Sequence, residues 1–458
     1  MAVQRIFIAN RGEIAARIIR TCRSLGIGSV LGVSESDRDS TPARLADCTV
    51  CIGPARATDS YLNIAAIIHA ARATKADAIH PGYGFLAERA EFARQCEAAG
   101  ITFIGPTAAQ IAAVGDKLQA RLAAQSAGVP VVPGRAVANA EEAQAAANEI
   151  GLPLLIKAVG GGGGRGMKRV DSLQDLPDAV ALASAEAAAA FGDARVYLEL
   201  YIARARHVEV QLLGDGEGQV IHLGERDCSA QRRYQKLVEE APAPALPAEL
   251  REALHAAAVR FAQRLKYRGA GTVEFLVDLD RADYYFLEMN ARIQVEHPVT
   301  EAVTGIDLVA EQIRIAGGAG LALAQADVRS RGCAIECRIN AEDPDEDFRP
   351  SPGTVREAHW PTGDGIRVDT HIASGSTVPP YYDSLMAKII AHAADRDTAL
   401  AMLRRAISAT RIVGVRSNLS FQALMLADPE FVAGGMDTGF VQRVLARRQG
   451  TERQVRHG

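Results

Sequence analysis

Strand-like and helix-like segments alternate over about the first 105 residues, and this alternation restricts the fold more than any other feature of the sequence. "RIFIAN" has the character of a buried strand, and "SVLGVS", "DAIHPGYG" and "ITFIG" follow it as further strands. The first helical segment, "GEIAARIIRTCRSLG", carries one apolar stripe, formed by Ile14, Ile18, Cys22 and Leu25. Such alternation predicts a parallel sheet with helices on both faces.

From about residue 115 the pattern changes to helices and mostly antiparallel strands. "PLLIKAVGGGGGRGMKRV" predicts a strand, a glycine loop and a second strand, while "GTVEFLVDL" and "YYFLEMNARIQVE" flank the polar turn "DRAD" and predict a hairpin. A further boundary falls near "AQADVRSRG". The expected architecture is α/β and α+β: a Rossmann-like domain over 1–115, a second domain over 116–330, a mixed α+β domain over 331–447 and a charged, frayed tail over 448–458.

Composition excludes several classes of protein. The chain has 458 residues, of which 48% are hydrophobic, and a net charge of -4, so it is not a disordered chain, and nothing favours a nucleic-acid or anionic-membrane surface. No apolar stretch reaches the length of a membrane span, and the first residues lack the pattern of a secretory signal. The scattered cysteines, including the pairs Cys48–Cys51 and Cys333–Cys337, predict buried free thiols rather than zinc ligands, as expected in a reducing cytoplasm.

The glycine run at 160–164 matches neither common nucleotide-binding motif. Gly161, Gly163 and Gly166 spell G-x-G-x-x-G, but a strand rather than a helix follows, and Met167 stands where a P-loop needs lysine. What remains is a loop between two strands whose bare backbone can approach phosphate oxygens. The alternative is a solvent-exposed hairpin tip, which the entropy lost by five ordered glycines disfavours.

Acidic residues on the predicted hairpin indicate a metal site. Glu274 lies among apolar residues, where an unpaired carboxylate is costly, and Glu288 and Asn290 follow across the turn. Three oxygen ligands on neighbouring strands suit Mg²⁺ or Mn²⁺, and the alternative is a cross-strand pair with an arginine. If "EMNARIQVE" continues as a strand, Arg292, Gln294 and Glu296 join the same face, but the strand can equally end near Asn290.

With Lys157 in the apolar "LPLLIKA" and the glycine loop, these residues form an ATP site that is not a P-loop. Together with the motifs quoted below, these features give the chain a resemblance to the biotin carboxylases, a family of ATP-grasp enzymes, over nearly its whole length. The resemblance lies in "IANRGEIAARI", "HPGYGFL", "IKAVGGGGGRGM", "ERDCSAQRRYQK", "EMNARIQVEHPVTE", "ECRINAEDP" and "VPPYYDSL". It implies that the middle domain is an ATP-grasp domain with a mobile glycine-loop lid. It also implies a reaction in which MgATP, bicarbonate and biotin give carboxybiotin, ADP and phosphate.

The resemblance also implies roles for individual residues. The nucleotide phosphates would meet Lys117, Lys157, His207, Gly163 and Gly164, and the adenine would meet Glu199, Leu200, Tyr201 and Ile202. Two Mg²⁺ or Mn²⁺ ions would bind Glu274, Glu288 and Asn290. Bicarbonate would bind Lys236, Arg292, Gln294 and the Val295 backbone, with Glu296 as its base. Arg338 would stabilise the biotin oxyanion, and the biotin pocket would be framed by Tyr83, Gly84 and Asp383.

Two residues depart from the family pattern. Leu200 stands where many relatives have lysine, and Tyr234, counted among the ATP-binding residues, replaces a usual histidine. The implied partners are a separate biotin carboxyl carrier protein, a carboxyltransferase and a second copy of the chain, as in a cytoplasmic acetyl-CoA or related acyl-CoA carboxylase. Two alternatives remain open: another ATP-grasp ligase acting through an acyl phosphate, and a catalytically silent nucleotide-binding regulatory subunit.

Overall fold

The structure is a computed structural model that describes residues 3–158, 168–191 and 194–457, leaving aside the side chains of Lys117, residues 190–191 and residues 449–457. The first unit is a five-stranded parallel sheet in the order β3-β2-β1-β4-β5, as the alternation predicted. Its strands are β1 (Arg5–Ile8), β2 (Gly28–Ser34), β3 (Cys48–Gly53), β4 (Ala78–His80) and β5 (Thr102–Phe103). Its helices are α1 (Gly12–Ser24), α2 (Thr41–Leu45), α3 (Ile64–Ala73), α4 (Ala90–Ala98) and α5 (Ala108–Gly115).

The first helix confirms most of its predicted stripe. Ile14, Ile18 and Cys22 are buried, but Leu25 is 47% exposed, so its prediction as a core residue is wrong. The reason is local: α1 ends at Ser24, and Gly26 then turns the chain through the left-handed region with φ +69°.

A four-stranded antiparallel sheet forms the second unit, in the order β6-β9-β7-β8. One face of the helix at 140–150 packs into the core of this unit through small side chains: Ala143, Ala146 and Ala147 are buried. The loop between β7 and β8 lies outside the described residues. The elements of this unit are β6 (Gly134–Val137), α7 (Ala140–Ile150), β7 (Leu154–Ala158), β8 (Lys168–Val170), α8 (Leu176–Phe191) and β9 (Val196–Leu200). Helix α6 (Lys117–Ser126) precedes them in the chain, and its Ala120 and Ala124 are buried in a different, larger core.

An eight-stranded sheet in the order β14-β13-β10-β11-β12-β15-β22-β20 is the central feature of the molecule. Its strands are β10 (Ala205–Asp215), β11 (Val220–Arg232), β12 (Gln235–Ala241), β13 (Arg268–Asp278), β14 (Asp283–Asn290), β15 (Cys333–Asn340), β20 (Ile366–Thr370) and β22 (Leu385–Ala393). The helices α9 (Ala248–Arg264), α10 (His297–Thr304) and α11 (Leu308–Ala316) lie between these strands in the chain. Because β12 pairs with β15, one sheet joins residues on both sides of the sequence boundary near 330.

Short strands and helices complete the C-terminal part, and a second large core lies beneath them. They are β16 (Glu342–Asp343), β17 (Arg349–Pro350), β18 (Gly353–Thr354), β19 (Glu357–His359), β21 (Thr377–Val378), β23 (Arg411–Val413), α12 (Arg396–Ala409), α13 (Leu419–Ala427), α14 (Pro429–Ala433) and α15 (Phe440–His457). In the predicted tail, α15 continues to His457. Within the described residues, no helix combines the length and apolar character needed to cross a membrane.

The cysteines are free, as predicted, but two of them are not buried. Cys48 and Cys51 are exposed, whereas Cys333 and Cys337 are buried. The difference follows from position, because β3 is an edge strand of its sheet and β15 is a central one. The prediction of buried thiols is therefore wrong for the Cys48–Cys51 pair.

Candidate active site

A cluster of buried charges lies on one face of the central sheet, with Lys236 at its centre. The Lys236 Nζ donates hydrogen bonds to Glu209 Oε2 at 2.6 Å, to Glu274 Oε1 at 3.0 Å and to Glu296 Oε1 at 2.7 Å. Burial opposes a charged lysine, but these carboxylates and Cys228 raise its pKa well above the ordinary value. Lys236 is therefore a fixed cation that joins strands β10, β12 and β13 to the start of α10.

Glu296 is fully buried at the N-terminus of α10 and is held by two cations. Lys236 binds one carboxylate oxygen, and Arg338 Nη2 donates to the other, Oε2, at 2.8 Å. Burial alone would raise the pKa of Glu296, but Lys236 and Arg338 hold it well below its ordinary value. The group is thus an ionised carboxylate that can accept a proton.

Arg338 bridges Glu296 to a second buried carboxylate. Its Nε donates to Glu239 Oε1 at 2.6 Å, and the side chain is only 16% exposed. Burial raises the pKa of Glu239 to about 7 despite the opposing effect of Arg338. The guanidinium is therefore fixed from two sides at the edge of the charged cluster.

The acidic hairpin presents the oxygen donors that the sequence predicted. Glu274 and Glu288 are partners across the β13–β14 ladder, and a register shift beside Glu274 marks a β-bulge. Asn290 Nδ2 donates to Glu274 Oε1 at 2.8 Å, and His207 Nε2 lies 2.8 Å from Glu274 Oε2. Carboxylate and amide oxygens on adjacent strands fit a hard divalent cation. His207, Glu209 and Glu274 also bring one ligand atom each within 4.8 Å of one another.

Beyond Asn290 the chain leaves the strand and forms a loop, so of the two alternatives for "EMNARIQVE" the structure confirms the strand that ends near Asn290 and not the one that continues to Glu296. Arg292 shapes this loop, donating from Nη2 to Asn290 Oδ1 at 2.9 Å and from Nη1 to Gln294 Oε1 at 2.7 Å. Glu88 accepts from Arg292 Nε at 2.8 Å and from the Ala291 amide at 3.0 Å. The polar residues thus stay together through side-chain contacts rather than through strand alternation.

The predicted adenine segment lies at the end of strand β9, beside Lys157, a residue predicted to bind the phosphates. Lys157 Nζ donates to Glu199 Oε1 at 2.6 Å, while the amides of Leu200 and Tyr201 donate to the carbonyls of Pro133 and Pro153 at 2.9 Å. Leu200 and Ile202 pack in a small apolar cluster with Val132 and Ala205. Leu200 therefore serves this segment as a packing residue.

Tyr234 stands at the turn between β11 and β12, with φ 66°, and is 66% exposed. Partial burial of the ring and the neighbouring Tyr201 raise the pKa of Tyr234 above its ordinary value. The backbone of Lys117 begins α6, and its side chain lies outside the described residues, as do Gly163 and Gly164.

A cavity of about 270 Å³ brings together Tyr83, Gly84 and Asp383, the three residues predicted to frame a biotin pocket. Sequence reasoning missed other lining residues, Arg11, His371 and Tyr382. Arg11 binds Asp37 at 2.8 Å and lies 4.3 Å from the centre of the Tyr382 ring. The sequence signal for Arg11 was its place directly after a buried strand, inside "IANRGEIAARI".

Comparison with known proteins agrees with this geometry. Three family models match: "Biotin carboxylase, N-terminal domain" over residues 2–111, "Carbamoyl-phosphate synthase L chain, ATP binding domain" over 116–324, and "Biotin carboxylase C-terminal domain" over 336–443. Biotin carboxylase 1 of Bacillus subtilis is 51% identical over 442 residues, which cover 96% of this chain and 98% of that protein.

Two solved structures are similar over nearly the whole chain. The biotin carboxylase complex with β,γ-ATP from Campylobacter jejuni has a TM-score of 0.90 and 46% identity, covering 96% of this chain and 99% of that one. The biotin carboxylase domain dimer of the Hydrogenobacter thermophilus 2-oxoglutarate carboxylase, in complex with MgADP, ADP and bicarbonate, has a TM-score of 0.89 and 44% identity, covering 97% and 99%.

Fold and site together define an ATP-grasp enzyme, an ATP-dependent ligase. Within that class, the chain belongs to the biotin carboxylase family.

Proposed function

We propose that the chain catalyses the first half-reaction of an acetyl-CoA or related acyl-CoA carboxylase, the ATP-dependent carboxylation of biotin on a separate carrier protein. The observation that carries this proposal is the position of Glu296. Its carboxylate is shared by Lys236 and Arg338, so one proton acceptor links the acidic hairpin to the arginine proposed to meet biotin. Bicarbonate activation and biotin carboxylation need such a link, because the carboxyphosphate formed in the first step is consumed in the second.

The nucleotide occupies the cleft between the β7–β9 region and the acidic hairpin in this proposal. Lys117, Lys157, His207, Gly163 and Gly164 hold the phosphates, and the segment Glu199, Leu200, Tyr201 and Ile202 holds the adenine with Tyr234 nearby. Glu274, Glu288 and Asn290 hold two Mg²⁺ or Mn²⁺ ions, whose chemistry is to neutralise charge on the phosphates. The oxygen donors on the β13–β14 ladder support this assignment.

Bicarbonate binds beside this cluster, to Lys236, Arg292, Gln294 and the Val295 backbone. Glu296 removes its proton, and the resulting oxygen attacks the γ-phosphorus to give carboxyphosphate and ADP. In the structure Arg292 donates hydrogen bonds to Asn290 and Gln294. Bicarbonate can bind by replacing these two residues as the hydrogen-bond acceptor of Arg292. Arg292 gives up two neutral partners and gains a charged one.

Biotin enters the cavity framed by Tyr83, Gly84 and Asp383. Carboxyphosphate releases CO₂, which bonds to the ureido nitrogen as that nitrogen loses its proton to the phosphate. Arg338 stabilises the negative charge that develops on the ureido oxygen. Support comes from the fixed guanidinium, which Glu239 and Glu296 hold at the edge of the cluster.

We infer a cytoplasmic homodimer that works with a biotin carboxyl carrier protein and a carboxyltransferase, and is divided into domains over 1–115, 116–330 and 331–447. The dimer of the Hydrogenobacter thermophilus domain supports self-association, and exposed free thiols at Cys48 and Cys51 fit a reducing compartment. Because that relative comes from a 2-oxoglutarate carboxylase, similarity to it does not identify the molecule that finally receives the carboxyl group. We assign that choice to the carboxyltransferase.

The test is a turnover assay with the purified chain, MgATP, bicarbonate and free biotin. We expect ADP release to depend on bicarbonate and to rise with biotin, and labelled bicarbonate to enter biotin. Acceleration by an amine without biotin would indicate another ATP-grasp ligase. Nucleotide binding without any turnover would indicate a silent regulatory subunit, and either result would refute the proposal.

A further inference from the structure

Lys388 is a completely buried cation that the proposed chemistry does not use. It lies on β22, inside the apolar segment "LMAKIIA", and its side chain is 0% exposed. A buried ammonium group is costly unless it is paired and hydrogen-bonded. The partners of Lys388 therefore indicate what it does.

Those partners belong to parts of the chain that are distant in sequence. The Lys388 Nζ donates to the Val295 carbonyl at 2.6 Å, lies 3.2 Å from Glu13 Oε1 and lies 4.0 Å from Asp369 Oδ2. Glu13, at the start of α1, in turn accepts a hydrogen bond from the Tyr83 hydroxyl. One ammonium group thus contacts the loop before Glu296 and, through Glu13, a wall of the cavity.

Strand pairing brings Lys388 close to the proposed chemistry. Lys388 and Arg338 are direct partners across the β15–β22 ladder. Arg338 binds the carboxylate of Glu296, while Lys388 binds the carbonyl of the preceding residue. Adjacent strands thereby hold the Val295–Glu296 segment at two points, one on the backbone and one on the side chain.

We propose that Lys388 is a positioning residue, which fixes the Val295–Glu296 peptide relative to the Tyr83 wall and so aligns the bicarbonate site with the biotin cavity. This inference rests on the proposed roles of Glu296 and Tyr83. Lys388 acts through Val295 and Glu13, not on the reacting atoms. Its contribution is a hydrogen bond from a charged donor to a backbone carbonyl, together with an ion pair that holds Glu13 beneath Tyr83.

A purely structural role would be different: Lys388 would only neutralise buried carboxylates such as Glu13 and Asp369. The two roles separate when both members of the Lys388–Glu13 pair are made neutral. Lys388→Met leaves Glu13 without its cation, whereas Lys388→Met with Glu13→Gln removes both charges. Neutralisation is restored in the double variant, but the hydrogen bond to Val295 is not.

The experiment measures apparent KM values for bicarbonate, free biotin and ATP, together with thermal unfolding. We expect Lys388→Met to raise the KM for bicarbonate and biotin about 10- to 100-fold, the scale of a hydrogen bond with a charged partner. The KM for ATP should change less than about threefold, since a hydrogen bond would be lost only at the loop. The double variant should regain thermal stability and keep the raised bicarbonate KM. Lys75→Met, at an exposed lysine, is the matched control and should match the unmodified chain.

Two outcomes would overturn the inference: a normal bicarbonate KM in Lys388→Met, or its full recovery in the double variant. If Lys388→Met does not fold, the double variant carries the same comparison, because it buries no unpaired glutamate at position 13. An unmodified chain without bicarbonate-dependent turnover would instead refute the proposed function. The two failures are thus distinguishable.

Discussion

At the scale of single residues, the charge on Glu296 is the quantity on which the proposed chemistry depends. Two cations lower its pKa, which keeps the carboxylate ionised but also makes it a weak base. Bicarbonate at Lys236 would relieve part of this restraint, because the anion and Glu296 then share one ammonium group. The base would gain proton affinity at the moment its substrate is bound.

Glu296→Gln tests this role directly. The amide keeps the size of the side chain but cannot take up the bicarbonate proton. We expect bicarbonate-dependent ATP cleavage to slow about 100-fold or more, with or without biotin, the range attributed to a general base. ADP release measures the rate. An undiminished rate would exclude Glu296 as the base, and Glu217→Gln, at an exposed glutamate, is the control.

Arg338→Ala should separate the two steps and shift their pH dependence. Without Arg338, one of the two main cations that lower the pKa of Glu296 is gone, so that pKa rises. The fall in the rate of bicarbonate-dependent ATP cleavage at acid pH should then begin at a higher pH than in the unmodified chain. Near pH 8 ATP cleavage should persist while carboxybiotin formation falls. Equal loss of both activities at every pH would contradict separate roles, and Arg416→Ala, at an arginine whose side chain is 76% exposed, is the control.

The residues that could be predicted from the sequence are charged residues that lie inside a short apolar segment. Glu274 was predicted as a metal ligand because an unpaired carboxylate is costly among apolar neighbours, and in the structure Lys236 and His207 contact its carboxylate. The same argument applied to "LMAKIIA" would have marked Lys388 as a buried cation. Its partner could not have been found, because Val295 is 93 positions away and is met only across the folded sheet.

At the scale of secondary-structure elements, periodicity predicted most strands and helices but left open whether β14 ends near Asn290 or continues to Glu296. Alternation of polar and apolar residues continues to Glu296, yet the strand stops at Asn290. Where the strand stops, the Ala291 amide donates a hydrogen bond to Glu88, which lies 203 positions away in the chain. A contact this distant leaves no trace in the local pattern that sequence reasoning uses.

The β11–β12 hairpin carries an unfavourable turn. Arg233 and Tyr234 form its two-residue tip with φ 48° and 66°, a conformation that favours Asn-Gly. Tyr234→Gly should therefore be more stable than Tyr234→Ala by about 1 kcal/mol, the reverse of the order at ordinary positions. Both variants lack the phenol ring, so their difference reports the backbone alone. Urea unfolding measures it, and a more stable alanine variant would contradict the turn geometry.

Glu225 connects helix α9 to strand β11 and should govern part of the acid stability. Burial alone would raise the pKa of Glu225, but His255 and Arg251 bind its carboxylate and lower that pKa to about 2. The Ala243 amide also donates to this carboxylate. A lowered pKa stabilises the fold above pH about 4.5, and this contribution is lost as the pH falls towards about 2. Glu225→Gln should thus lower the free energy of unfolding by about 3 kcal/mol at pH 7.

The urea midpoint of Glu225→Gln should approach that of the unmodified chain as the solution is acidified. At pH 4 the difference between the two chains in free energy of unfolding should be about 1 kcal/mol smaller than at pH 7. The reason is that Glu225 becomes protonated in the unfolded chain at this pH, so its ionised form stabilises the native state less. A difference that stays constant from pH 7 to pH 4 would show that the pKa of Glu225 is ordinary. The exposed Glu217→Gln should show no such trend.

At the scale of the whole molecule, the eight-stranded sheet explains how distant segments make one site. Strands β10, β12 and β13 supply Glu209, Lys236 and Glu274, and β15 supplies Arg338. The sequence predicted separate units on either side of residue 330, since local patterns show only neighbouring strands. The pairing of β12 with β15 joins them, so the proposed nucleotide site and the proposed biotin site share one continuous hydrogen-bonded sheet.

Biotin should reach this frame on another polypeptide. A biotinyl domain presents its lysine between two methionines, and none of the seven lysines in this chain has methionine on both sides. Lys168 follows Met167 but precedes Arg169, and Lys388 is buried in the central sheet. The purified chain should therefore give a blank streptavidin blot when it is expressed with a biotin protein ligase, beside a biotinylated carrier as the positive control. It should still carboxylate added free biotin. Covalent biotin on this chain would refute the prediction.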